Sequence, residues 1–258
     1  MRLVLLTVLF IAAHSYNLSQ LITSVLLSGA AYCDDYSHLL INDLNILDTV
    51  YDQESDLRGF TAATNDTFYV ALRGSSSAQN WIDDFEIRLV DYDRCSGCSV
   101  HRGFYKSALA IKSQVIESFY KHGSTIDKII VTGHSYGAAV AQVLALELLE
   151  TSTPINVYNF GQPRTGNTEY AQYVNQMLSP NYWRVTHDRD LVPHLPPKIG
   201  YRHSCGELFE DSRGDLIECS AIDCEDPKCS QQYRTIQTST DDHLYYLGRR
   251  VTCMVDGK

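Results

Sequence analysis

The sequence predicts an α/β fold with a mostly parallel central sheet, an antiparallel edge and flanking helices. From residue 128 onward, short apolar strands alternate with helical segments of about ten residues or more, a pattern that right-handed crossovers and parallel strands produce. Before that region, two apolar runs are joined by a tight turn at Asn65-Asp66, which is typical of an antiparallel hairpin. No linker-like stretch, internal repeat or low-complexity segment divides the chain, so we interpret residues 16–258 as one domain.

The individual elements follow the periodicity of the apolar residues. Helical spacing predicts helices, and runs of β-branched and aromatic residues between turn residues predict strands. The predicted helices are Leu18–Ala31, Phe104–Tyr120, Ala138–Leu149 and Thr168–Met177, and the predicted strands are Ile46–Tyr51, Leu57–Ala63, Thr67–Leu72, Lys128–Thr132, Ile155–Phe160 and Tyr182–Thr186. Residues 199–240 are rich in cysteine and predicted to be irregular, and Leu244–Arg249 is predicted to form a short helix.

Composition and charge argue against nucleic-acid binding and against charge-driven membrane binding. The 258 residues are 44% hydrophobic and 20% charged, as in globular proteins. Lysine and arginine number 21 against 31 aspartates and glutamates, which gives a net charge of −10. That charge disfavours binding to the phosphate backbone of nucleic acids, and it also disfavours charge-driven docking on anionic membranes.

Residues 1–15 have the pattern of a secretory signal peptide. Met1-Arg2 precedes an apolar run over residues 3–13, and the small residues Ala13 and Ser15 suit cleavage after Ser15. A run of eleven residues is too short to cross the roughly 30 Å of a bilayer core, which argues against a membrane anchor. We therefore expect a secreted, extracellular protein without a transmembrane segment.

The cysteines agree with export. All eight follow the predicted cleavage site, and an even number in an oxidising compartment indicates four disulfides among Cys33, Cys95, Cys98, Cys205, Cys219, Cys224, Cys229 and Cys253. Cys95-Ser-Gly-Cys98 also has the spacing of half a zinc site, but no second CxxC stands at a suitable distance, so no metal is expected. Export would make Asn17-Leu-Ser19 and Asn65-Asp-Thr67 acceptors for N-linked glycans.

The segment Gly133-His134-Ser135-Tyr136-Gly137 has the spacing of a nucleophile elbow. An apolar strand precedes it and an alanine-rich helix follows it, which is the strand–turn–helix setting that this motif requires. Such a turn leaves no room for a Cβ at the two glycine positions and holds the serine in a strained conformation. Because the serine also stands at a helix N-terminus, where developing negative charge is favoured, we expect Ser135 to be a nucleophile.

A serine nucleophile needs a general base, and the base needs a carboxylate that orients it. The histidines downstream of the elbow are His187, His194, His203 and His243. Asp188 and Asp190 both stand just past the end of a predicted strand, and spacing alone does not choose between them. His134 inside the elbow is expected to support the turn by packing or hydrogen bonding.

The chain resembles the fungal-type triacylglycerol lipase family (lipase class 3) over nearly all of its mature length. Several motifs carry the resemblance in order, and they are Val70-Ala-Leu-Arg73-Gly74-Ser75, Gln79-Asn80-Trp81-Ile82, Cys95-Ser-Gly-Cys98 with His101-Arg-Gly103-Phe104, the elbow itself, Phe160-Gly161-Gln162-Pro163-Arg164-Thr165-Gly166-Asn167, Asp190-Leu191-Val192-Pro193-His194-Leu195-Pro196-Pro197 and Asp242-His243-Leu244-Tyr245-Tyr246. The resemblance implies an α/β-hydrolase fold and a secreted serine esterase that needs no cofactor.

The resemblance also implies the role of each site residue. Ser135 would attack the ester carbonyl, His243 would act as the base, and Asp190 would be the acid that orients His243. The backbone N–H groups of Ser75 and Tyr136, together with the Ser75 hydroxyl, would form the oxyanion hole. Residues 160–167 are interpreted as scaffold.

A lid is implied between Ser77 and Phe85. There the large apolar side chains Trp81, Ile82 and Phe85 are interleaved with two aspartates, so the segment would cover an apolar groove in water and open at a lipid surface. This favours acylglycerols at an oil–water interface as the substrate. A feruloyl-type esterase, a phospholipase A1 and a non-catalytic lipid-binding protein are the alternatives.

By the same resemblance, Cys33 pairs with Cys253 and Cys95 pairs with Cys98. The cysteines between residues 205 and 229 depart from the family pattern, and their three possible pairings stay open, with a preference for Cys205–Cys224 and Cys219–Cys229. We expect the protein to be a monomer.

Overall fold

The centre of the fold is an eight-stranded, mostly parallel β-sheet, seen in a computed structural model that describes residues 16–36, 39, 41–75, 86–122 and 126–253. The strands in chain order are β1 (Asn45–Asp52), β2 (Leu57–Ala63), β3 (Thr67–Leu72), β4 (Leu89–Asp91), β5 (Ser99–His101), β6 (Lys128–His134), β7 (Ile155–Phe160), β8 (Tyr182–His187), β9 (Glu207–Glu210), β10 (Leu216–Glu218), β11 (Tyr245–Tyr246) and β12 (Arg249–Arg250). The α-helices of the described residues are α1 (Leu18–Ala30), α2 (Arg102–His122), α3 (Tyr136–Leu148) and α4 (Thr168–Leu178).

The order of strands in the sheet is β1-β2-β3-β6-β7-β8-β9-β10. The five strands from β3 to β9 are parallel, whereas β1 and β2 at one edge and β10 at the other pair antiparallel to their neighbours. The predicted fold class, a mostly parallel sheet with an antiparallel edge, is therefore confirmed. The parallel strands bring their carboxyl ends to one edge of the sheet, where ligand sites of α/β proteins are found.

Helices cover both faces of the sheet. The helices α2 and α3 pack on one face, where Ile111 and Leu144 lie in the same apolar cluster as Val70. The helix α1 packs on the opposite face, where Leu21 clusters with Ile130. Central strands buried on both sides explain why β3 and β6 appear in the sequence as nearly continuous apolar runs. Among the described residues, no helix combines the length and hydrophobicity that crossing a bilayer requires.

Two predicted segments differ from the structure. The region 199–240 was expected to be irregular, but it contains β9 and β10, which extend the sheet. The helix predicted over Leu244–Arg249 is wrong, because β11 and β12 form a hairpin there. Leu247 and Gly248, which connect the two strands, have φ angles of 54° and 67°, and such a turn cannot belong to a right-handed helix.

Four disulfides join the pairs that the sequence analysis favoured. Cys33–Cys253 ties the segment after α1 to the end of the described chain, and Cys95–Cys98 closes the turn between β4 and β5. Cys205–Cys224 and Cys219–Cys229 lie in the segment that leads from β8 towards His243. In the described residues no group of three or more His, Cys, Asp or Glu side chains is arranged to hold a metal ion.

Candidate active site

Ser135 lies at the sharp turn between β6 and α3. Its backbone is strained, with φ 58° and ψ −126°, and its N–H donates to the Phe160 carbonyl at 2.9 Å. The flanking glycines are required by close backbone contacts. A Cβ on Gly133 would lie 2.5 Å from the carbonyl carbon of Gly137, and a Cβ on Gly137 would lie 2.3 Å from the Arg73 carbonyl oxygen. The local sequence therefore builds the nucleophile elbow that the motif predicts.

A buried acid–base pair lies at the same edge of the sheet. Asp190 follows β8, and His243 lies on a short 3₁₀ turn just before β11. The His243 Nδ1 atom is 2.9 Å from Asp190 Oδ2, and the two side chains are 0% and 1% exposed. A carboxylate on Nδ1 leaves the Nε2 atom as the one that can accept a proton, which is the arrangement that orients a general base.

Asp190 is held as an ionised carboxylate by three donors. The His243 ring and the Tyr246 hydroxyl both donate to Oδ2, and the Val192 N–H donates to Oδ1 at 2.8 Å. Burial raises the pKa of the carboxyl, but the electrostatic interaction with His243 and these hydrogen bonds outweigh burial, so the pKa of Asp190 lies below its ordinary value. Burial and the neighbouring carboxylate raise the pKa of Tyr246 well above its ordinary value, so its hydroxyl stays a donor.

The structure brings Asp190, and not Asp188, to His243. Asp188 lies in the same turn, but its carboxylate accepts a hydrogen bond from the Tyr233 hydroxyl at 2.7 Å. The other downstream histidines make contacts of a different kind. His187 Nδ1 bonds the Asp242 carbonyl at 2.9 Å, and His203 Nε2 bonds the Pro193 carbonyl at 2.7 Å. Of the described histidines downstream of the elbow, His243 is the one whose ring bonds a carboxylate.

The two atoms that would exchange a proton are not hydrogen-bonded within the described part of the chain. Ser135 Oγ and His243 Nε2 are both buried, and they form no hydrogen bond with each other or with any other described residue. Gly161, with φ 57°, lies directly beside the imidazole, since a Cβ there would be 2.7 Å from His243 Cε1. This glycine was assigned to scaffold from the sequence, and its contact with the ring gives it a part in the site.

Gly74, the neighbour of the expected oxyanion donor Ser75, lies beside Ser135. Strand β3 pairs with β6, and Gly74 follows the end of β3. Gly74 lies so close to Ser135 that a Cβ added to it would be 2.8 Å from the Ser135 Cβ. Ser75 follows in this loop. Tyr136 opens α3, where backbone N–H groups point out of the helix end, and its hydroxyl bonds Ser107 at 2.7 Å and the Gly103 carbonyl at 3.2 Å. The expected lid residues Trp81, Ile82 and Phe85 lie outside the described residues.

The site has two further groups that sequence reasoning missed. Tyr246 donates a hydrogen bond to Asp190. It stands three residues after His243 in the same motif, and that proximity is the one feature of the sequence that indicates a place in the site. Arg164 is 2% exposed, and it donates to the carbonyls of His194 and Pro196 in the loop after Asp190. Nothing local to Arg164 in the sequence indicates that contact.

Comparison with known proteins places this geometry in a family. The model of the family "Lipase (class 3)" matches residues 69–200. A lipase of Rhizomucor miehei is 34% identical over 92% of this chain and 70% of that protein, and secreted mono- and diacylglycerol lipase 1 of Fusarium solani is 36% identical over 71% of this chain and 55% of that protein.

Solved structures of lipases have the same fold as this chain. A triacylglycerol lipase whose catalytic centre is described as a serine protease triad superposes with a TM-score of 0.79, at 33% identity over 90% of this chain and 95% of that one. A lipase from Rhizopus microsporus var. chinensis gives the same TM-score at 28% identity over 92% of this chain and 89% of that one. The chain belongs to the class 3 lipase family.

Proposed function

We propose that this protein is a serine ester hydrolase that cleaves acylglycerols with Ser135, His243 and Asp190. The observation that carries the proposal is the buried Asp190–His243 hydrogen bond beside a strained nucleophile elbow. The names of the relatives, which are triacylglycerol, monoacylglycerol and diacylglycerol lipases, support acylglycerols as the substrate class.

The reaction would have two halves. Ser135 Oγ attacks the ester carbonyl carbon while His243 Nε2 takes the hydroxyl proton, and the carbonyl oxygen becomes an oxyanion. Collapse of this tetrahedral species breaks the ester C–O bond, and His243 returns the proton to the leaving alcohol. Water then attacks the acyl-enzyme carbonyl and loses a proton to His243. Collapse of the second tetrahedral species breaks the bond to Ser135 Oγ, which takes that proton from His243, and the fatty acid is released. No metal or cofactor takes part in these steps.

The remaining groups would stabilise the charges that develop. Ionised Asp190 stabilises the imidazolium form of His243, and the N–H groups of Ser75 and Tyr136 with the Ser75 hydroxyl receive the oxyanion. The N-terminus of α3 adds a favourable dipole at the same place.

Labelling with an organophosphonate tests the nucleophile. We expect one adduct, on Ser135, and no adduct on the Ser135→Ala variant. Asp190→Asn should abolish most hydrolysis, whereas Asp188→Asn should spare it. An adduct on another serine, or a crippled Asp188→Asn with an active Asp190→Asn, would contradict the assignment.

A substrate panel tests the substrate class. A short soluble ester, an emulsified long-chain triglyceride, a phospholipid and methyl ferulate should be compared at equal enzyme concentration. We expect the glyceride to be turned over fastest. A faster rate on methyl ferulate or on phospholipid would move the protein to a feruloyl-type esterase or to a phospholipase A1.

A lid over the site is part of the proposal and is supported by sequence alone. Leaving Trp81, Ile82 or Phe85 exposed to water would cost roughly 1.5–3 kcal/mol of free energy for each side chain, compared with burying it. At an oil surface these side chains contact an apolar medium, so an open lid avoids that cost. Activity on a partly soluble triglyceride should therefore rise steeply once droplets form. Trp81→Ala should weaken that rise and spare hydrolysis of a short ester, and a smooth saturation curve through the solubility limit would oppose a lid.

Export and glycosylation complete the proposal. The relative from Fusarium solani is named as a secreted lipase, which supports export of this protein, and the sequence pattern favours signal-peptide cleavage after Ser15. Asn17 and Asn65 are both exposed, at the start of α1 and in the β2–β3 turn, so an oligosaccharyltransferase could reach them. Mass spectrometry of the secreted protein before and after endoglycosidase treatment should find Ser15 cleavage and both glycans.

A further inference from the structure

We propose that Tyr32 is a positioning residue that links the oxyanion loop to the general base through His134; the inference rests on the proposed function. Three contacts form the link. The Gly74 N–H donates to the Tyr32 hydroxyl oxygen at 2.9 Å, the Tyr32 hydroxyl lies 2.7 Å from His134 Nδ1, and His134 Nε2 lies 2.8 Å from the His243 carbonyl oxygen. The link thus runs from the loop after β3 to the turn before β11.

The donors and acceptors of the link have one consistent assignment. The His243 carbonyl only accepts, so the proton of a neutral His134 ring is on Nε2 and its Nδ1 is an acceptor. The Tyr32 hydroxyl therefore donates to Nδ1 and uses its oxygen to accept from the Gly74 N–H, a group that only donates. Each group in the link makes the bond that its chemistry allows.

The buried environment keeps both side chains in these states. Burial, followed by the nearby His243, lowers the pKa of His134 to about 3, so His134 stays neutral. Burial raises the pKa of Tyr32 far above its ordinary value, so the hydroxyl keeps its proton. The rings of His134 and His243 are stacked with centroids 4.4 Å apart, and a neutral ring there adds no repulsion when His243 takes up a proton.

The link fixes the separation of two groups that must act on one carbonyl group. Gly74 precedes Ser75, an expected oxyanion donor, and is pressed against the phenol, since a Cβ on Gly74 would lie 2.4 Å from the Tyr32 oxygen. Tyr32 is itself anchored by the adjacent disulfide Cys33–Cys253, whose second cysteine belongs to the tail that follows His243. The disulfide therefore gives a covalent connection between the segment that carries Tyr32 and the part of the chain that follows His243.

Tyr32→Phe tests the proposal, because it removes the hydroxyl and keeps the ring. We expect kcat on a short soluble ester to fall about 10- to 100-fold with KM changed less than about twofold, since misplacing a catalytic group mainly slows the chemical step. The rate of organophosphonate labelling at Ser135 should fall in proportion. Tyr36→Phe is the matched control, because Tyr36 lies in the same segment and packs on Phe60, outside the link.

A double-mutant cycle separates this role from a merely structural one. His134→Phe keeps an aromatic ring against His243 and removes both hydrogen bonds. It should cost as much kcat as Tyr32→Phe, and the double variant should lose little more than either single one. If Tyr32→Phe does not fold, His134→Phe alone carries the test, since it breaks the same link from its other side.

Three outcomes would overturn the proposal. The first is a folded Tyr32→Phe or His134→Phe variant with kcat within twofold of the wild type, and the second is losses that multiply in the double variant. The third is a wild-type protein that hydrolyses no ester and takes no label at Ser135, which would overturn the proposed function as well. Failure of the link alone leaves an active, labelled wild-type enzyme, so the two failures are distinguishable.

Discussion

Replacing Glu225 with glutamine should destabilise the fold by about 3 kcal/mol. Glu225 and Arg164 form a bidentate ion pair at 2.7 and 3.2 Å, with side chains 3% and 2% exposed. Breaking a buried pair by neutralising one partner typically costs about 3–5 kcal/mol, because the other charge stays buried without compensation. The lower end applies, since Arg164 keeps the His194 and Pro196 carbonyls as acceptors. For a chain of this size the melting temperature should fall by about 6–12 °C.

The sign of the pH dependence follows from the pKa of Glu225. Burial raises this pKa, but the hydrogen bond from Arg164, the nearby His203 and Lys198 outweigh burial and hold it well below its ordinary value. A carboxyl whose pKa is lower in the folded state stabilises the fold above its unfolded pKa, about 4.3, and loses that contribution as the pH falls. The stability difference between wild type and Glu225→Gln should be constant from pH 5 to 7 and shrink below about pH 4.

Urea titrations at several pH values provide the measurement. Glu54→Gln is the matched control, because Glu54 is 79% exposed and its ion pair with Lys106 is a surface pair worth less than about 1 kcal/mol. A Glu225→Gln variant as stable as Glu54→Gln at pH 7 would refute the energetic reasoning. A difference that stays undiminished at pH 3 would refute the assignment of the low pKa.

Three further predictions concern catalysis. Asp190→Asn should lower kcat about 10⁴-fold in a protein that still folds, as expected when the orienting carboxylate is lost, and steady-state kinetics with a melting curve would check both. Ser75→Ala should lower kcat about 10²-fold with a smaller effect on KM, and an unchanged kcat would remove Ser75 from the oxyanion hole. Gly161→Ala should lower kcat about 10²-fold by displacing His243, whereas Gly214→Ala, with φ 84° and open space around it, shares the backbone strain and should stay active.

Some elements were predictable to the residue because their signal is local. The predicted bounds of β2, β3 and β7 are those of the structure, since each strand is an apolar run that ends at turn residues. Strand β9 was not predicted, because the glutamates at both of its ends indicate an exposed segment, whereas the structure buries them. Glu207 bonds Arg184 at 2.9 Å and Glu210 accepts from the Leu247 N–H at 2.6 Å, and partners so distant in sequence leave no local pattern.

The site also contains some residues that a local sequence pattern predicts and others whose contacts depend on distant parts of the chain. The elbow is local, so five residues predict its turn, its glycines and the strained serine. The choice between Asp188 and Asp190 depends on where His243, 53 residues away, meets the loop after β8, and no spacing rule gives that position. The contact between Tyr32 and His134 spans 102 residues, and no local sequence pattern at either residue predicts that the two side chains meet.

The cysteine-rich segment explains how two distant loops form one acid–base pair. Leu191, next to Asp190, donates its N–H to the Ser239 carbonyl at 3.2 Å, so the segment returns to the acid before it reaches His243. Two disulfides shorten the free chain in between, and the pairs Arg184–Glu207 and Arg164–Glu225 fasten it to β8 and to the strand exit of β7. Buried charges are costly unless they are paired, so these pairs form only when the segment is correctly docked. The stability of this segment and the geometry of the acid–base pair are therefore two results of the same set of contacts.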